Sequence, residues 1–210
     1  MRTPLIIVAI LVVQVGCKKT NVADNNDPVS IFPNKVGNSW TYLVNDTSYF
    51  LLNPPTITQY TMTVSIVDTI TLPGNIHANI WVHQSPAGND TNYVFQNLDT
   101  VSFISNKRFY MEIIRRYVEP FNLNSSWSYS WNSVFNVSVI SRSDITVGTN
   151  VFENTSHIAG RPGRPDEFLR LEEWVADNVG VVKRYVDDAS DTHNPFKHRT
   201  MWTLISYHLE

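Results

Sequence analysis

Two stretches of sequence decide the fold: residues 60–66 (YTMTVSI) and residues 76–83 (IHANIWVH). In each stretch an apolar side chain occupies every second position, which is the spacing of a β-strand with one buried face. Residues 72–75 (LPGN) lie between them and carry the residue types of a tight turn. Residues 59–84 therefore predict a β-hairpin whose apolar face, in the second strand, is Ile76, Ala78, Ile80 and Val82.

The same alternation recurs along the rest of the chain. It is present at residues 40–44 and 135–139, and further segments are rich in the residues that pack well on a pleated sheet: 92–96, 100–105, 108–118, 145–152, 181–186 and 199–207. Residues 166–176 also have helical spacing, but the turn signal at 178–180 favours a strand there. The sequence predicts one all-β domain over residues 30–210, mainly antiparallel, with at most one or two short helices. A single curved sheet, a half-barrel and a sandwich-like arrangement all fit this pattern.

Composition excludes several classes of protein. The chain has 210 residues, of which 42% are hydrophobic and 12% aromatic, and these fractions exclude wholesale disorder. A formal net charge of −3 lacks the basic footprint of a nucleic-acid-binding protein, so no nucleic-acid partner is expected. One cysteine cannot form an internal disulfide or a cysteine-based zinc site.

The N-terminal segment predicts export. Arg2 precedes an unbroken apolar run at residues 5–13, and nine residues are too few for a bilayer span, which needs about 20. This arrangement is typical of a secretory signal, here residues 1–16. Cys17 follows a small residue directly after that run and resembles the acylated cysteine of bacterial lipoproteins, although Gln14 stands where their pattern usually has Leu. Cleavage by an ordinary signal peptidase and a buried thiol are the alternatives.

Residues 17–29 are interpreted as the lipidated cysteine followed by a flexible tether. The segment 20–28 is polar and can bury almost no apolar surface. Lys18 stands where an acidic residue commonly marks inner-membrane retention in lipoproteins, so the resemblance implies the outer membrane. The expected membrane contact is the N-terminal lipid.

Three further motifs resemble a broad group of uncharacterised bacterial envelope lipoproteins. They are the opening segment 32–42 (FPNKVGNSWTY), the late hairpin 173–183 (EWVADNVGVVK) and the last strand 202–207 (WTLISY). A middle segment, residues 145–154, resembles that group with altered spacing. The resemblance implies a curved antiparallel sheet on a lipid anchor, and it implies no activity.

Motifs that carry chemistry are scarce. The sequence has no G-x-S-x-G, no H-E-x-x-H, no phosphate-binding glycine loop and no EF-hand pattern, so we predict no catalytic residue, no metal and no cofactor. His77 and His83 are about 20 Å apart on one strand, too far to share an ion, and are expected to face solvent. The strongest candidate for a cation site consists of five residues: Asp187, Asp188, Asp191, His193 and His198. A solvated hairpin loop is the favoured interpretation of this segment.

Aromatic residues supply the candidate ligand-binding positions. Trp127, Tyr129 and Trp131 recur at every second residue and would share one face of a strand, either as an exposed platform or as core. Core is favoured, because the intervening serines make a polar opposite face. Trp81 lies on the polar side of its own strand, so it is either a surface aromatic or is covered by another layer.

Three functions from different classes remain open at this level. The leading hypothesis is a non-enzymatic, membrane-anchored module of the cell envelope that binds a hydrophobic or carbohydrate ligand or an envelope protein. The second is a glycan-directed hydrolase that uses two carboxylates drawn from Glu167, Glu172, Glu173, Asp187 and Asp188. The third is a structural or assembly lipoprotein that recognises its partner through an exposed sheet edge.

Overall fold

The computed structural model describes residues 32–50, 53–105, 113–129, 135–162, 169–188 and 196–210. The predicted signal, Cys17 and the tether lie outside these residues, as do Trp131 and His193. At residues 161, 162, 169, 188 and 196 the backbone alone is described.

The described residues form twelve strands and no helix, which confirms the all-β prediction. The strands are β1 (Ser39–Phe50), β2 (Thr56–Leu72), β3 (Ile76–Ser85), β4 (Gly88–Asn97), β5 (Thr100–Ser105), β6 (Ile113–Val118), β7 (Ser126–Ser128), β8 (Phe135–Val147), β9 (Asn150–Pro162), β10 (Leu169–Ala176), β11 (Gly180–Asp188) and β12 (Phe196–His208). The predicted hairpin at 59–84 is β2 and β3. The segment that could have been a helix contributes β10. No helix long and apolar enough to cross a membrane occurs in the described part of the chain.

The strands build one antiparallel sheet in the order β6-β5-β4-β3-β2-β1-β12-β11-β10-β9-β8-β7. Strands β1 to β6 form one meander and strands β7 to β12 form a second. The first and last strands of the chain join the two meanders, with Trp40 opposite Tyr207 and Phe50 opposite Phe196. Strands β6 and β7 are therefore the two ends of the hydrogen-bonded order, although they follow each other along the chain.

The short connection between β6 and β7 forces the sheet to curl. From Val118 to Ser126 the chain can span at most about 28 Å. Twelve flat strands would place those two edges about 53 Å apart. The sheet is nearly closed instead, and at the seam the Trp127 Nε1–H donates a hydrogen bond to the backbone oxygen of Arg116, with an N···O distance of 2.8 Å. Phe121, from the connection, stacks on Trp127 with ring centroids 5.9 Å apart.

The main core fills the inside of this closed sheet. The alternation of residues 60–66 places Met62, Val64 and Ile66 in it, and Trp40 stacks on Trp81 with centroids 5.0 Å apart. The main core also includes other inward-facing aromatic residues: Phe32, Tyr42, Phe103, Tyr117, Phe121, Trp127, Tyr129, Phe135 and Phe152.

Strand β3 departs from its predicted orientation. Trp81 is buried in the main core, whereas Ala78, on the face predicted to be buried there, joins a smaller cluster with Leu72 and Ile104. The cause is a bulge in the pairing of β2 with β3 between Ile66 and Asp68. The extra residue in β2 turns Ile70 and Leu72 to the face of Ala78, and it sets the register in which Trp81 pairs with the inward-facing Ile66.

The opening segment, residues 32–42, and the late hairpin, residues 173–183, lie against one another. Trp40 Nε1 donates to the backbone oxygen of Val179 at 2.7 Å, and the Tyr42 hydroxyl donates to that of Val181 at 2.8 Å. Gly37 has a φ of 100°, which favours glycine, and its amide bonds to the oxygen of Ile66 at 2.9 Å. The opening segment and the late hairpin therefore hold the closed sheet together.

Candidate functional site

A buried carboxylate, that of Glu173, lies inside the closed sheet. Along β10 the inward positions are Leu171, Glu173 and Val175, and Glu173 has an exposed fraction of 0%. Strand alternation alone directs this side chain inward, because its two apolar neighbours of the same parity face the core. A charged group there needs partners, since an isolated ion in an apolar interior is very costly.

Two tyrosines from the seam donate to this carboxylate. The Tyr117 hydroxyl on β6 lies 2.8 Å from Oε2, and the Tyr129 hydroxyl, just after β7, lies 3.1 Å from Oε1. Burial raises the pKa of both tyrosines, and the negative charge of Glu173 raises them further. Both hydroxyls are therefore protonated at neutral pH and act as donors.

Two arginines contribute positive charge to the same cluster. Arg184 Nε on β11 lies 3.2 Å from Oε1 of Glu173, and Arg115 Nη1 on β6 lies 3.8 Å from the same oxygen. The Arg115 guanidinium also stacks over the Phe103 ring at 3.9 Å. Burial lowers the pKa of Arg115, but its tyrosine and glutamate neighbours outweigh that effect and the net shift is upward. Both side chains are thus cations, and they face one carboxylate.

The two arginines of this cluster line a pocket of about 320 Å³, here called the interior pocket, and we refer to their side of it as its floor. The interior pocket is lined by side chains from β2 to β6, β11 and β12: Met62, His83, Ser85, Gly88, Asp90, Asn92, Ser105, Ile114, Arg115, Arg184 and Trp202. A second space of about 20 Å³ lies deeper and shares three of these residues, His83, Arg115 and Trp202. That space has the size of a single water molecule.

Aromatic and polar groups define the walls of the interior pocket. The Arg184 guanidinium lies over the Trp202 ring at 4.7 Å, and the centroids of the His83 and Trp202 rings are 6.3 Å apart. Asn92 is buried, and its Nδ2 lies 3.1 Å from Nε2 of His83. The sequence predicts that His83 faces solvent; it is instead half-buried against the pocket, because it pairs with Val64, which faces the main core.

The structure places the described aromatic candidates in the interior. Trp81 is 4% exposed and its Nε1 donates to Asn34 Oδ1 at 2.8 Å. Trp127 closes the seam, and Tyr129 bonds to Glu173. Trp81 borders the deeper space, whereas none of the three lines the interior pocket. The fourth candidate, Trp131, lies outside the described residues.

The acidic candidates do not converge on one cleft in the described part of the chain. Glu172 lies on the opposite face of β10 from Glu173 and pairs with Arg170 and with His157. Asp187 pairs with Arg199 at 3.2 Å. Glu167 and the side chain of Asp188 lie outside the described part of the structure.

The proposed cation cluster is likewise not assembled by the described residues. His198 lies 3.7 Å from the partly exposed Asp46 of β1, and Asp191 and His193 lie outside the described residues. The exposed His77 lies beside Thr71. No group of three metal-ligating side chains occurs among the residues that the structure describes.

Arg115, Arg184 and Trp202 are site residues that the sequence patterns do not identify. All three lie in segments predicted to be strands, and for the two arginines the available signal is a cation at an inward position. Arg115 shares the parity of the buried Tyr117, and Arg184 shares that of the buried Val182. Arginine at an inward position indicates a buried charge cluster. Alternation alone does not distinguish such a cluster from a bulge that turns the arginine side chain outward.

Comparisons with known proteins give two structural neighbours. No family model and no curated protein matches the chain. One solved structure, from Bacteroides fragilis NCTC 9343, is provisionally described as an exported protein with a YmcC-like fold; it is similar with a TM-score of 0.43 and 13% identity, over 85% of this chain and 100% of that one. Another, from Parabacteroides distasonis ATCC 8503, is provisionally described as a lipoprotein and has a TM-score of 0.35 and 17% identity, over 87% and 100%. These descriptions concern export or lipid attachment and name no activity.

Replacing the buried carboxylate tests the cluster. Glu173→Gln keeps the shape of the side chain but leaves two guanidinium groups without their counter-charge, and breaking a buried pair in this way costs about 3 to 5 kcal/mol. We expect a loss of that size in the free energy of unfolding, measured by urea denaturation. The matched control is Glu172→Gln on the outer face of the same strand, which should cost less than about 1 kcal/mol. Equal losses in the two variants would contradict the assignment.

Proposed function

We propose that this chain is an exported lipoprotein of the cell envelope, anchored through Cys17, whose interior pocket binds a small ligand without catalysing a reaction on it. The observation that carries the proposal is the interior pocket itself. Its volume of about 320 Å³ falls at the lower end of the range for small-molecule sites, about 300–1,000 Å³. Met62, Ile114 and Trp202 supply its apolar surface, and the polar and charged side chains around them can fix the orientation of a ligand.

The rigidity of the framework supports a binding role. The pocket-lining side chains stand on seven strands of one hydrogen-bonded sheet, so their relative positions are fixed by the ladder rather than by loops. A site built on regular elements holds its geometry before the ligand arrives, which reduces the entropy lost on binding.

The state of Glu173 favours binding over hydrolysis. Both of its oxygens accept hydrogen bonds from buried tyrosines, and two arginines compete for the same carboxylate. A carboxylate with an exposed fraction of 0% cannot contact a water molecule or a substrate as a general base must. We therefore assign it a structural and electrostatic role.

The anchor complements this module. The span from Cys17 to Phe32 reaches at most about 50 Å, so a folded domain on this tether stays close to the bilayer. Acyl chains contribute about 0.8 kcal/mol for each buried methylene, and several chains together hold a protein durably. Lys18 follows the cysteine, where an acidic residue commonly marks inner-membrane retention in lipoproteins. We therefore propose that the anchor lies in the outer membrane.

The anchor is tested by removing the acylated thiol. Cys17→Ser should abolish labelling by a clickable palmitate analogue in a Gram-negative host and move the chain from the membrane pellet to the soluble fraction. Thr20→Ser, three residues further on, is the control and should leave labelling and sedimentation unchanged. Palmitate labelling of the Cys17→Ser variant would refute lipidation at this residue.

Binding is tested by native mass spectrometry of the full chain released from the envelope in an uncharged detergent. We expect an additional mass that dissociates on activation, because a formed pocket retains its ligand through purification. Ser85→Phe, which fills the interior pocket, should remove that mass. Ser143→Phe, at an exposed position of β8, should retain it. A bare chain in every preparation would count against the proposal.

A further inference from the structure

We infer that the ligand of the interior pocket is an organic monoanion, whose carboxylate is bound by Arg115 and Arg184 and whose flat apolar body lies against Trp202. This inference rests on the proposed binding function and narrows it to one chemical class. Three features of the pocket support it: the positive charge of the two arginines, their hydrogen-bond donors and the apolar side chains beside them.

The two arginines exceed the charge of the carboxylate that they share. Arg115 and Arg184 each carry one positive charge, whereas Glu173 supplies one negative charge to both. The Arg115 side chain is 9% exposed, so water does little to compensate its charge. This excess favours an anion over a neutral molecule beside the two guanidinium groups, and Asp90 in the pocket lining limits the charge that the ligand can carry.

The hydrogen-bond donors point to the same conclusion. Each guanidinium has five N–H groups, and the two oxygens of Glu173 already accept hydrogen bonds from Tyr117 and Tyr129. The Nε atoms of Arg115 and Arg184 are both buried, so the terminal N–H groups of the two guanidinium groups are the donors available to a ligand. A carboxylate matches the planar fork of arginine.

A carboxylate in the pocket lining disfavours a more highly charged ligand. Asp90 is one of the lining residues, and its Oδ1 accepts a hydrogen bond from the Thr91 amide at 2.9 Å. Together with Glu173, Asp90 would repel a second negative charge on the ligand. A carboxylate therefore fits the site better than a phosphate dianion.

The walls indicate the rest of the ligand. Trp202 and the buried Met62 present apolar surface beside the guanidinium groups, and Ile114 adds to it. A flat ring can contact an indole and a thioether while its carboxylate reaches the floor. A volume of about 320 Å³ accommodates two fused six-membered rings with one carboxyl group.

The experiment compares two probes that differ only in charge. The full mature chain, purified in an uncharged detergent, is titrated calorimetrically with 2-naphthoate and with 2-naphthamide. We expect 2-naphthoate to bind at least tenfold more tightly. Arg184→Gln should weaken the binding of 2-naphthoate at least tenfold and leave that of 2-naphthamide within twofold. Arg184 is chosen because its side chain is 20% exposed and tolerates substitution better than Arg115.

Control variants separate charge from folding. Arg199→Gln removes a cation from the outer face and should change neither affinity. Circular dichroism and the urea midpoint of each variant confirm that the compared proteins are folded. Arg184→Lys keeps the charge but loses the planar fork, so an intermediate affinity for 2-naphthoate is expected.

The outcomes distinguish this inference from the proposed function. Equal binding of the two probes, both abolished by Ser85→Phe, would overturn the monoanion and retain a binding pocket. Tighter binding of inorganic phosphate than of 2-naphthoate would overturn the carboxylate in favour of a phosphate. Failure of both probes to bind would overturn this inference, while the mass of any co-purified ligand would still decide the proposed function.

Discussion

The carboxylate of Glu173 connects parts of the sheet that backbone pairing leaves apart. Tyr117 belongs to the last strand of the first meander, and Tyr129 follows the first strand of the second, so the two tyrosines approach from opposite sides of the seam. Hydrogen bonds to a charged acceptor contribute about 1.5 to 3 kcal/mol each, and they are directional. One buried acceptor thereby fixes the distance between both edges, and Trp127 completes the closure from the backbone of Arg116.

The same cluster gives the interior pocket its character. A buried anion accepts hydrogen bonds from both sides of the seam, and that anion is stabilised by Arg115 and Arg184. The two guanidinium groups exceed the charge of Glu173, and they line the interior pocket. Structural closure and ligand recognition thus draw on one set of side chains, which explains why charged residues occur on inward faces of β6, β10 and β11.

Local sequence patterns predicted most of the strands because alternation is a property of neighbouring residues. It placed Met62 and Val64 inward and identified the hairpin at 59–84, but a bulge after Ile66 shifts the register by one residue, so that Trp81 pairs with Ile66 and lies in the core. The site depends on pairs such as Tyr117 and Glu173, which are 56 positions apart and meet only when the sheet closes. Alternation directs Glu173 inward, but the partners of its carboxylate could not be predicted without that closure.

A double-mutant cycle tests most directly whether Glu173 joins both edges. Tyr117→Phe and Tyr129→Phe are each combined with Glu173→Met, which removes both acceptor oxygens, and the free energy of unfolding is measured for all single and double variants. We expect each tyrosine to be coupled to Glu173 by at least about 1 kcal/mol, because the change at either residue removes the same hydrogen bond. Additive losses for either tyrosine would show that its edge of the sheet is held by other contacts, and would contradict the account.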